Sequence, residues 1–333
     1  MVDDVPRTTL FAEAIRDALR RRPGAVVLDI GTGPEALLAL IAARAGAKKV
    51  YAVEMQPEVA ELARQAVAAA TDVPAGLIEM HEGFSTTLEL PELADLLVAE
   101  IVGSVASGEG IYATMHDAQQ RLMRRPFEAD SYIPRAVETW CAPMSYAQQH
   151  PLLGPRDFDW EAVRAEIGAK GPPRFACDSH AVSAMAEPQR LETIRFDAPL
   201  PPPGTRLSVR LDFELSGERM AATEAECVAE LTQKGMKEAY VGKVAAEVAT
   251  SLTGVGMWPR LLLDDTRVVD SRGADGAPRE SHWQTVLPLM SAVPVMDPVA
   301  PGERFALDAA IWIGDAIDDP VRYELALSRV AKD

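Results

Sequence analysis

One short stretch near the start of the chain restricts the fold more than any other. Residues 26–33 read VVLDIGTG, an apolar and largely β-branched run that ends in an acid and a Gly-x-Gly turn. Apolar residues in 37–41 recur at helical spacing, and a second apolar run, 50–53, leads into Glu54. Strand, helix and strand in this order predict one βαβ unit of a doubly wound parallel sheet.

The Gly-x-Gly turn and Glu54 together favour a nucleotide site. Glycine permits a tight turn and the close approach of a ligand to the backbone. A carboxylate at the end of the second strand is placed to accept hydrogen bonds from ribose hydroxyls. The third glycine of the dinucleotide fingerprint is missing, because Pro34-Glu35-Ala36 follow the turn, and this disfavours NAD. For the glycines alone, an ordinary turn of an α/β unit is the alternative.

Two glutamates follow the next buried strand. The apolar run 96–99 predicts that strand, Glu100 follows it, and a loop with Gly103 and Gly108 leads to Glu109, which we expect to open a helix. Such a loop can fold back and bring both carboxylates to one pocket. Paired carboxylates match the fixed fork of a guanidinium. Taken alone, Glu109 would be explained by favourable interaction with a helix N-terminus.

Four motifs, taken together, resemble the protein arginine methyltransferase family. They are VLDIGTG (27–33), AGAKKVYAVE (45–54), the Glu100…Glu109 loop and SHWQTV (281–286), and the match covers roughly residues 4–315. The resemblance implies an α/β protein: a Rossmann-like domain that binds S-adenosyl-L-methionine (AdoMet), followed by a β-barrel domain with helical insertions.

The resemblance also implies a set of site residues. Glu100 and Glu109 match the two glutamates of the family's double-E loop (100–109), which grip the substrate guanidinium. His282 matches the histidine of its Thr-His-Trp loop as a catalytic residue, and Trp283 and Ser281, which replaces the threonine, match substrate-binding positions. The implied cofactor-binding residues are Arg7, Asp29, Gly31, Gly33, Glu54, Ser85 and Thr86, with Asp4 as the partner of His282.

The domain organisation follows from the same patterns. We expect an AdoMet-binding Rossmann-like domain over 1–133 and a β-barrel substrate domain over 134–333. Alternating segments predict barrel strands at 136–140, 206–213, 283–290 and 305–312. The family's dimerisation arm would lie at about 145–180, with a short helix near 160–167, and helical spacing predicts a helical insertion at about 217–252.

Composition narrows the classes of partner. The chain has 333 residues, a formal charge of −17 and a pI of about 4.8, which disfavours nucleic acid and favours cationic ligands, although acidity also serves solubility. The three cysteines have no CxxC spacing, the histidines lack metal-ligand spacing, and no metal is expected. No apolar run approaches membrane-spanning length and no secretory signal is visible, so we expect a cytoplasmic protein without membrane contact.

The activity implied by the resemblance is AdoMet-dependent arginine N-omega (guanidino) methylation, with S-adenosyl-L-homocysteine as product and a homodimer as the assembly. Ile101, Ser104 and Gly108 stand where the family tends to have aromatic residues. Only six residues precede Arg7, so the family's aromatic-rich capping helix is expected to be missing. Both departures favour a divergent bacterial-type member that acts on free L-arginine or a small guanidino compound. The alternatives are a protein or peptide arginine N-methyltransferase and a catalytically silent scaffold.

Overall fold

The computed structural model describes residues 4–150, 152–153, 172–288, 298–314, 319 and 321–331. Across those segments, no helix combines the length and the apolar character needed to cross a membrane.

The first part of the chain alternates helices and strands. Its helices are α1 (Val5–Arg21), α2 (Leu37–Arg44), α3 (Pro57–Ala69) and α4 (Ile111–Arg121). Its strands are β1 (Val26–Ile30), β2 (Lys49–Glu54), β3 (Ile78–Glu82), β4 (Leu96–Ala99) and β5 (Tyr132–Ile133). Short 3-10 turns lie at Ser85–Thr87 and Ala129–Ser131.

These five strands form one parallel sheet. Their order is β3-β2-β1-β4-β5, and each neighbouring pair is parallel. β1 is buried at all five positions, as expected for the central strand of a parallel sheet, and this explains its near-continuous apolar sequence. α1 begins with a side-chain cap, because Asp4 accepts a hydrogen bond from the backbone amide of Arg7.

The second part of the chain is mainly antiparallel. Its strands are β6 (Ala136–Tyr146), β7 (Arg174–Ala176), β8 (Val182–Ala184), β9 (Gln189–Arg195), β10 (Arg206–Glu214), β11 (Gly254–Leu262), β12 (Val268–Asp270), β13 (Gln284–Val286), β14 (Arg304–Trp312) and β15 (Arg322–Arg329). One sheet has the order β7-β13-β11-β6-β8, with β12 on β11 and β9 on β6, and the other has the order β10-β14-β15. A third 3-10 turn, Ala147–Gln149, follows β6.

The two antiparallel sheets share one hydrophobic core. Met257 of β11 and Cys141 of β6 pack in the same cluster as Phe213 of β10 and Leu307 of β14. The predicted fold class is therefore confirmed: a Rossmann-like parallel sheet is followed by a barrel-like arrangement of antiparallel strands.

Two helices lie between β10 and β11, where helical spacing predicts an insertion. They are α5 (Gly217–Gln233) and α6 (Glu238–Ala249). Their facing apolar residues, among them Leu231 and Val244, form a separate small core. The Ser145 hydroxyl of β6 donates to the carbonyl of Val248 at 2.7 Å, which joins the pair to the antiparallel sheet.

Some predicted boundaries differ from the structure. α4 begins at Ile111 rather than at Glu109, because Gly110 adopts a left-handed φ of 71° just before it. The strand predicted over 283–290 is shorter, since β13 spans Gln284–Val286, and 289–290 lie outside the described residues.

Other parts of the predicted organisation stay predictions. The helix near 160–167 and most of the 145–180 arm lie outside the described residues. The domain boundary at 133/134 and the homodimer therefore remain predictions, and light scattering would test the dimer through a mass near twice 35.9 kDa.

Candidate active site

The carboxyl ends of four parallel strands supply most of the site. Gly31 follows β1, Glu54 ends β2, Ser85 lies just beyond β3, and Glu100 follows β4. Because these strands are parallel neighbours, their carboxyl ends meet at one edge of the sheet, the edge at which open α/β sheets bind ligands. The sheet thus brings together residues that lie far apart in sequence.

The Gly-x-Gly turn presents a bare backbone at this edge. Gly31 and Gly33 have φ values of 74° and 67°, a region that favours glycine. A Cβ on Gly31 would lie 2.6 Å from Cγ2 of Ile101, whereas a Cβ on Gly33 would meet nothing within 4 Å. The turn is therefore packed tightly against the start of the double-E loop at Gly31 and open at Gly33.

Two acids support the turn from within the sheet. The Glu54 carboxylate accepts hydrogen bonds from the backbone amides of Gly33, at 3.2 Å, and Gln56, at 3.0 Å. The fully buried Asp29 accepts a hydrogen bond from the hydroxyl of Thr32 at 2.6 Å. Burial raises the pKa of Asp29 to about 7 against the opposing effect of that hydrogen bond. Both acids hold the turn, and ribose binding by Glu54 stays a prediction.

The Ser85–Thr87 turn lies beyond the end of β3. Ser85 is buried, and the carbonyls of Ser85 and Thr86 accept hydrogen bonds from Arg121 of α4 at 3.2 and 2.9 Å. Arg121 thus links the turn to α4. Contact of Ser85 and Thr86 with an adenine base stays a prediction.

The double-E loop folds back on itself, and its glycines make that possible. A Cβ on Gly103 would meet the Cα of Gly108 at 3.3 Å, and one on Gly108 would meet the carbonyl oxygen of Val105 at 3.1 Å. The close approach of the two glycine backbones brings Glu100 and Glu109 to one cavity of about 240 Å³. His282, Trp283 and Arg174 also line this cavity.

Arg7 is buried beside the first glutamate. Its Nη1 lies 3.2 Å from Oε2 of Glu100, and its Nε lies 3.5 Å from Oδ2 of Asp4. Only 2% of Arg7 is exposed, and its Nη2 has no hydrogen-bond partner among the described residues. A buried N–H without a partner costs free energy, so this atom is a candidate donor to a bound anion. Contact of Arg7 with the AdoMet carboxylate stays a prediction.

The hydrogen bonds of His282 fix its tautomer. Its Nε2 lies 2.7 Å from Nη1 of Arg7, and its Nδ1 lies 3.4 Å from Oδ2 of Asp4. A guanidinium can only donate, so Nε2 must accept and the ring proton is on Nδ1, facing Asp4. Burial, reinforced by the charge of Arg7, lowers the pKa of His282 to about 4. The imidazole is therefore neutral near pH 7.

Trp283 joins the two halves of the molecule at the cavity. Its indole Nε1 donates to the carbonyl of Val102 in the double-E loop at 2.7 Å, and its ring centroid lies 5.0 Å from the guanidinium carbon of Arg7. Its backbone amide donates to the Ser281 hydroxyl at 3.2 Å. Ser281 therefore shapes the loop that carries His282 and Trp283.

Two glutamates and one arginine line the cavity, and burial raises the pKa of both glutamates. Burial raises the pKa of Glu100 to about 7; Arg7 opposes this shift, and Glu109 adds to it. Burial also raises the pKa of Glu109, while the nearby positive charge of Arg174 lowers it. The cavity is thus lined by two acids and by Arg174, which among the described residues has no carboxylate oxygen within ion-pair distance.

Two features of the site were not found from the sequence. Arg174 reaches the cavity because β7 pairs with β13, which follows His282 and Trp283, and no local pattern shows that pairing. Glu192 is a buried acid on β9 that accepts hydrogen bonds from several hydroxyl groups beneath the double-E loop. The sequence contains one indication that Glu192 is buried. In a strand, Glu192 and Ile194 lie on the same face, and the apolar Ile194 indicates that this face is turned to the core.

The sequence similarities described here each cover less than half of this chain. The family model for ribosomal protein L11 methyltransferase (PrmA) matches residues 6–108. An arginine N(omega)-methyltransferase of Streptomyces achromogenes subsp. streptozoticus is 36% identical over 126 residues, which are 37% of this chain and 34% of the relative. Protein arginine N-methyltransferase PRMT10 of Oryza sativa subsp. japonica is 34% identical over 144 residues, 43% of this chain and 36% of the relative. The chain thus spans about a third of the length of these curated relatives.

Similarity of structure extends over the whole chain. The PRMT1 enzyme-prozyme heterotetrameric complex of Trypanosoma brucei with AdoHcy contains a chain with a TM-score of 0.65 and 15% identity. The match covers 99% of this chain and 96% of that one. Part of the chain is thus similar in sequence to arginine methyltransferases, and the whole chain shares its fold with a PRMT1 enzyme-prozyme structure.

Proposed function

We propose that the chain is an AdoMet-dependent arginine N-omega methyltransferase whose acceptor is free L-arginine or another small guanidino compound. The observation that carries the proposal is the cavity in which Glu100 and Glu109 meet Arg174. Two acids suit a guanidinium, and an arginine beside them suits the carboxylate of the same small molecule. The name of the Streptomyces relative, an arginine N(omega)-methyltransferase, supports the reaction class.

The residues at the sheet edge fit AdoMet. The bare Gly31–Gly33 backbone allows close approach of a nucleoside, Glu54 lies at the end of the neighbouring strand, and Arg7 carries a buried N–H without a partner. We assign Gly31, Gly33 and Glu54 to the nucleoside and Arg7 to the carboxylate of its methionine part. When bound, AdoMet supplies an electrophilic methyl group.

The chain's own residues orient the acceptor. A guanidinium is protonated near pH 7 and spreads its charge over three nitrogens. Glu100 and Glu109 would accept N–H bonds from it, fix its plane and hold the positive charge away from the nitrogen that reacts. Trp283, Gly103 and Gly108 line the same cavity.

His282 acts chiefly as a positioning residue in this proposal. Its Nε2 lone pair is already used by Arg7 and its Nδ1 proton faces Asp4, so it links α1 to the barrel loop. With a pKa lowered to about 4, it also stays neutral while Glu100, whose pKa is raised to about 7, titrates. The chain Asp4–His282–Arg7–Glu100 thus holds the first glutamate in one orientation.

The proposal is tested by incubating the protein with AdoMet and one of three acceptors: L-arginine, agmatine or an arginine-containing peptide. Agmatine has the same guanidinium as arginine but lacks the carboxylate. A mass gain of one methyl group on L-arginine, with kcat/KM above that of the peptide, is the expected result. Preference for the peptide would instead support the alternative of a protein or peptide arginine N-methyltransferase. No product from any acceptor would support the alternative of a catalytically silent scaffold.

Arg174→Ala should change the choice of substrate. A hydrogen-bonded pair with a charged group contributes about 1.5–3 kcal/mol, so kcat/KM for L-arginine should fall about 10-fold or more. Agmatine has no carboxylate for Arg174 to bind. Its kcat/KM should therefore stay within about 3-fold of the wild-type value, less than the effect of losing one such pair. Steady-state kinetics on both substrates measure this difference.

Arg279→Ala is the matched control, because Arg279 lines the neighbouring cavity that also reaches His282 and Trp283. It should leave both substrates unaffected. An equal loss for L-arginine and agmatine in Arg174→Ala would show that Arg174 supports the cavity and does not read the carboxylate.

The pH dependence of kcat/KM should report Glu100. Its pKa is raised to about 7 by burial, so the carboxylate that binds a guanidinium is fully ionised only above that pH. We expect kcat/KM to rise through about pH 7 to a plateau, since kcat/KM follows the ionisation of the free enzyme. A profile over about pH 5.5–9 measures this. A flat profile in that window would contradict the assignment of Glu100.

A further inference from the structure

A buried carboxylate outside the cavity binds four hydroxyl groups. Glu192 lies on β9 and is 5% exposed. Its Oε2 accepts from Ser107 at 3.1 Å, from Thr139 at 3.0 Å and from Tyr323 at 2.6 Å. Its Oε1 accepts from Tyr112 at 3.0 Å. Every hydroxyl comes from a different element of the structure.

Two of these hydroxyls belong to the segment that carries the second glutamate. Ser107 lies in the double-E loop two residues before Glu109, and Tyr112 lies in the first turn of α4 three residues after it. Glu192 therefore holds the chain on both sides of Glu109. The backbone amide of Ala106 adds a third attachment, because it donates to the Thr139 hydroxyl at 3.0 Å.

The other two hydroxyls belong to the antiparallel sheets. Thr139 lies on β6 directly opposite Glu192 in the strand register, and Tyr323 lies on β15. The hydroxyl oxygens of Ser107 and Tyr323 also lie close to each other. A single carboxylate thus connects the double-E loop and α4 to both barrel sheets.

The donors match an ionised acceptor. Each hydroxyl has one proton, and an ionised carboxylate accepts at about four lone-pair sites. Burial raises the pKa of Glu192, and the hydrogen bonds from Tyr323, Tyr112, Thr139 and Ser107 oppose that shift. A fully satisfied buried network of this kind fixes one arrangement of the groups around it.

We propose that Glu192 is a positioning residue that holds the double-E loop, and with it Glu109, in the geometry needed to grip the guanidinium. The inference rests on the proposed function for its effect on turnover. The geometric part, that Glu192 orders the loop, does not depend on it.

Glu192→Ala tests both parts. It leaves four hydroxyl groups without their acceptor, so the loop should loosen and misplace Glu109. Misplacement by about 1 Å can cost about 10²-fold in rate, and we expect kcat to fall by about that factor. AdoMet affinity should stay within about 3-fold, since Glu192 does not touch the Gly-x-Gly turn, and hydrogen exchange of the 102–109 amides should accelerate.

Glu138→Ala is the matched control. Glu138 is 2% exposed and lies on β6 next to Thr139, but it bonds Trp140 and Arg190, not the loop. It should leave kcat and the exchange of 102–109 as in the wild type. Tyr323→Phe removes one of the four hydroxyls and keeps the ring, so it should lower kcat by about 3- to 10-fold, the scale of one hydrogen bond, and speed the same amides.

The outcomes separate the two proposals. Faster exchange confined to 102–109 in a protein that methylates no guanidino substrate would support loop ordering and refute the function. Wild-type exchange and kcat in Tyr323→Phe would overturn the positioning role, even if Glu192→Ala fails to fold. Equal effects in Glu138→Ala would also overturn it, because they would show a general loss of barrel packing.

Discussion

Glu100→Gln is expected to lower kcat for guanidino substrates by about 10²-fold or more, the scale of a lost oriented charge partner in a closed site. Glutamine keeps the shape of glutamate and can still accept a hydrogen bond from Arg7, so the variant removes mainly the charge. AdoMet affinity should change by less than about 3-fold, because the Gly-x-Gly turn keeps all of its contacts. Product mass gives kcat, and calorimetry gives the affinity.

The same variant gives an internal check on the site. Because Glu100 controls the expected pH dependence, Glu100→Gln should also lose the rise of kcat/KM through about pH 7. Glu138→Gln serves as a control with a buried glutamate that does not line the cavity. Full activity of Glu100→Gln on every guanidino acceptor would show that the site is wrongly assigned.

Gly31→Ala is expected to be much more damaging than Gly33→Ala. Both residues have positive φ, so alanine costs each about 1–2 kcal/mol of backbone strain. Only at Gly31 would the new Cβ overlap the β-branched Ile101, at 2.6 Å. Overpacking adds about 1–3 kcal/mol, so we expect a total of about 2–5 kcal/mol in the free energy of unfolding at Gly31 and about 1–2 kcal/mol at Gly33.

Urea unfolding measures the difference between these two variants. Any relief of the overlap must move Ile101, the residue next to Glu100, so folded Gly31→Ala should also lose methyl transfer. Gly33→Ala should keep Ile101 in place, so at saturating AdoMet it should retain most of the turnover even where its AdoMet affinity falls. Equal stability and equal activity of the two variants would contradict the close packing of the turn on the double-E loop.

Local sequence patterns are sufficient to predict the first half of the site. The VVLDIGTG run is buried, β-branched and followed by glycines, so its strand and turn could be predicted from adjacent residues. Glu54 and Glu100 end or follow apolar runs in the same way. In a parallel sheet, placing a residue at a strand's carboxyl end is enough to place it at the ligand edge.

Long-range pairing explains what the sequence could not predict. Arg174 belongs to a three-residue strand, too short for a periodic signal, and reaches the cavity only through its pairing with β13, whose Val286 lies opposite it. β11 contains Pro259 and two glycines and is almost continuously buried, so it lacks the alternation that marks a half-exposed strand. The apolar spacing that begins at Ile111 predicts a helix but does not fix its first residue, and the left-handed Gly110 delays its start past Glu109.

The hydrogen bond from the Trp283 indole to the Val102 carbonyl has a consequence for the timing of biosynthesis. The ribosome synthesises Arg7, the glycine turn and both loop glutamates well before His282 and Trp283. The parallel sheet, with the proposed AdoMet site at its edge, can therefore fold before His282 and Trp283, which line the cavity, have been synthesised. In the proposed function, a chain interrupted between the end of β5 and Trp283 would have the site for the methyl donor but an incomplete site for the acceptor. Under the proposed function, a new chain could therefore methylate no guanidino group before His282 and Trp283 had been synthesised.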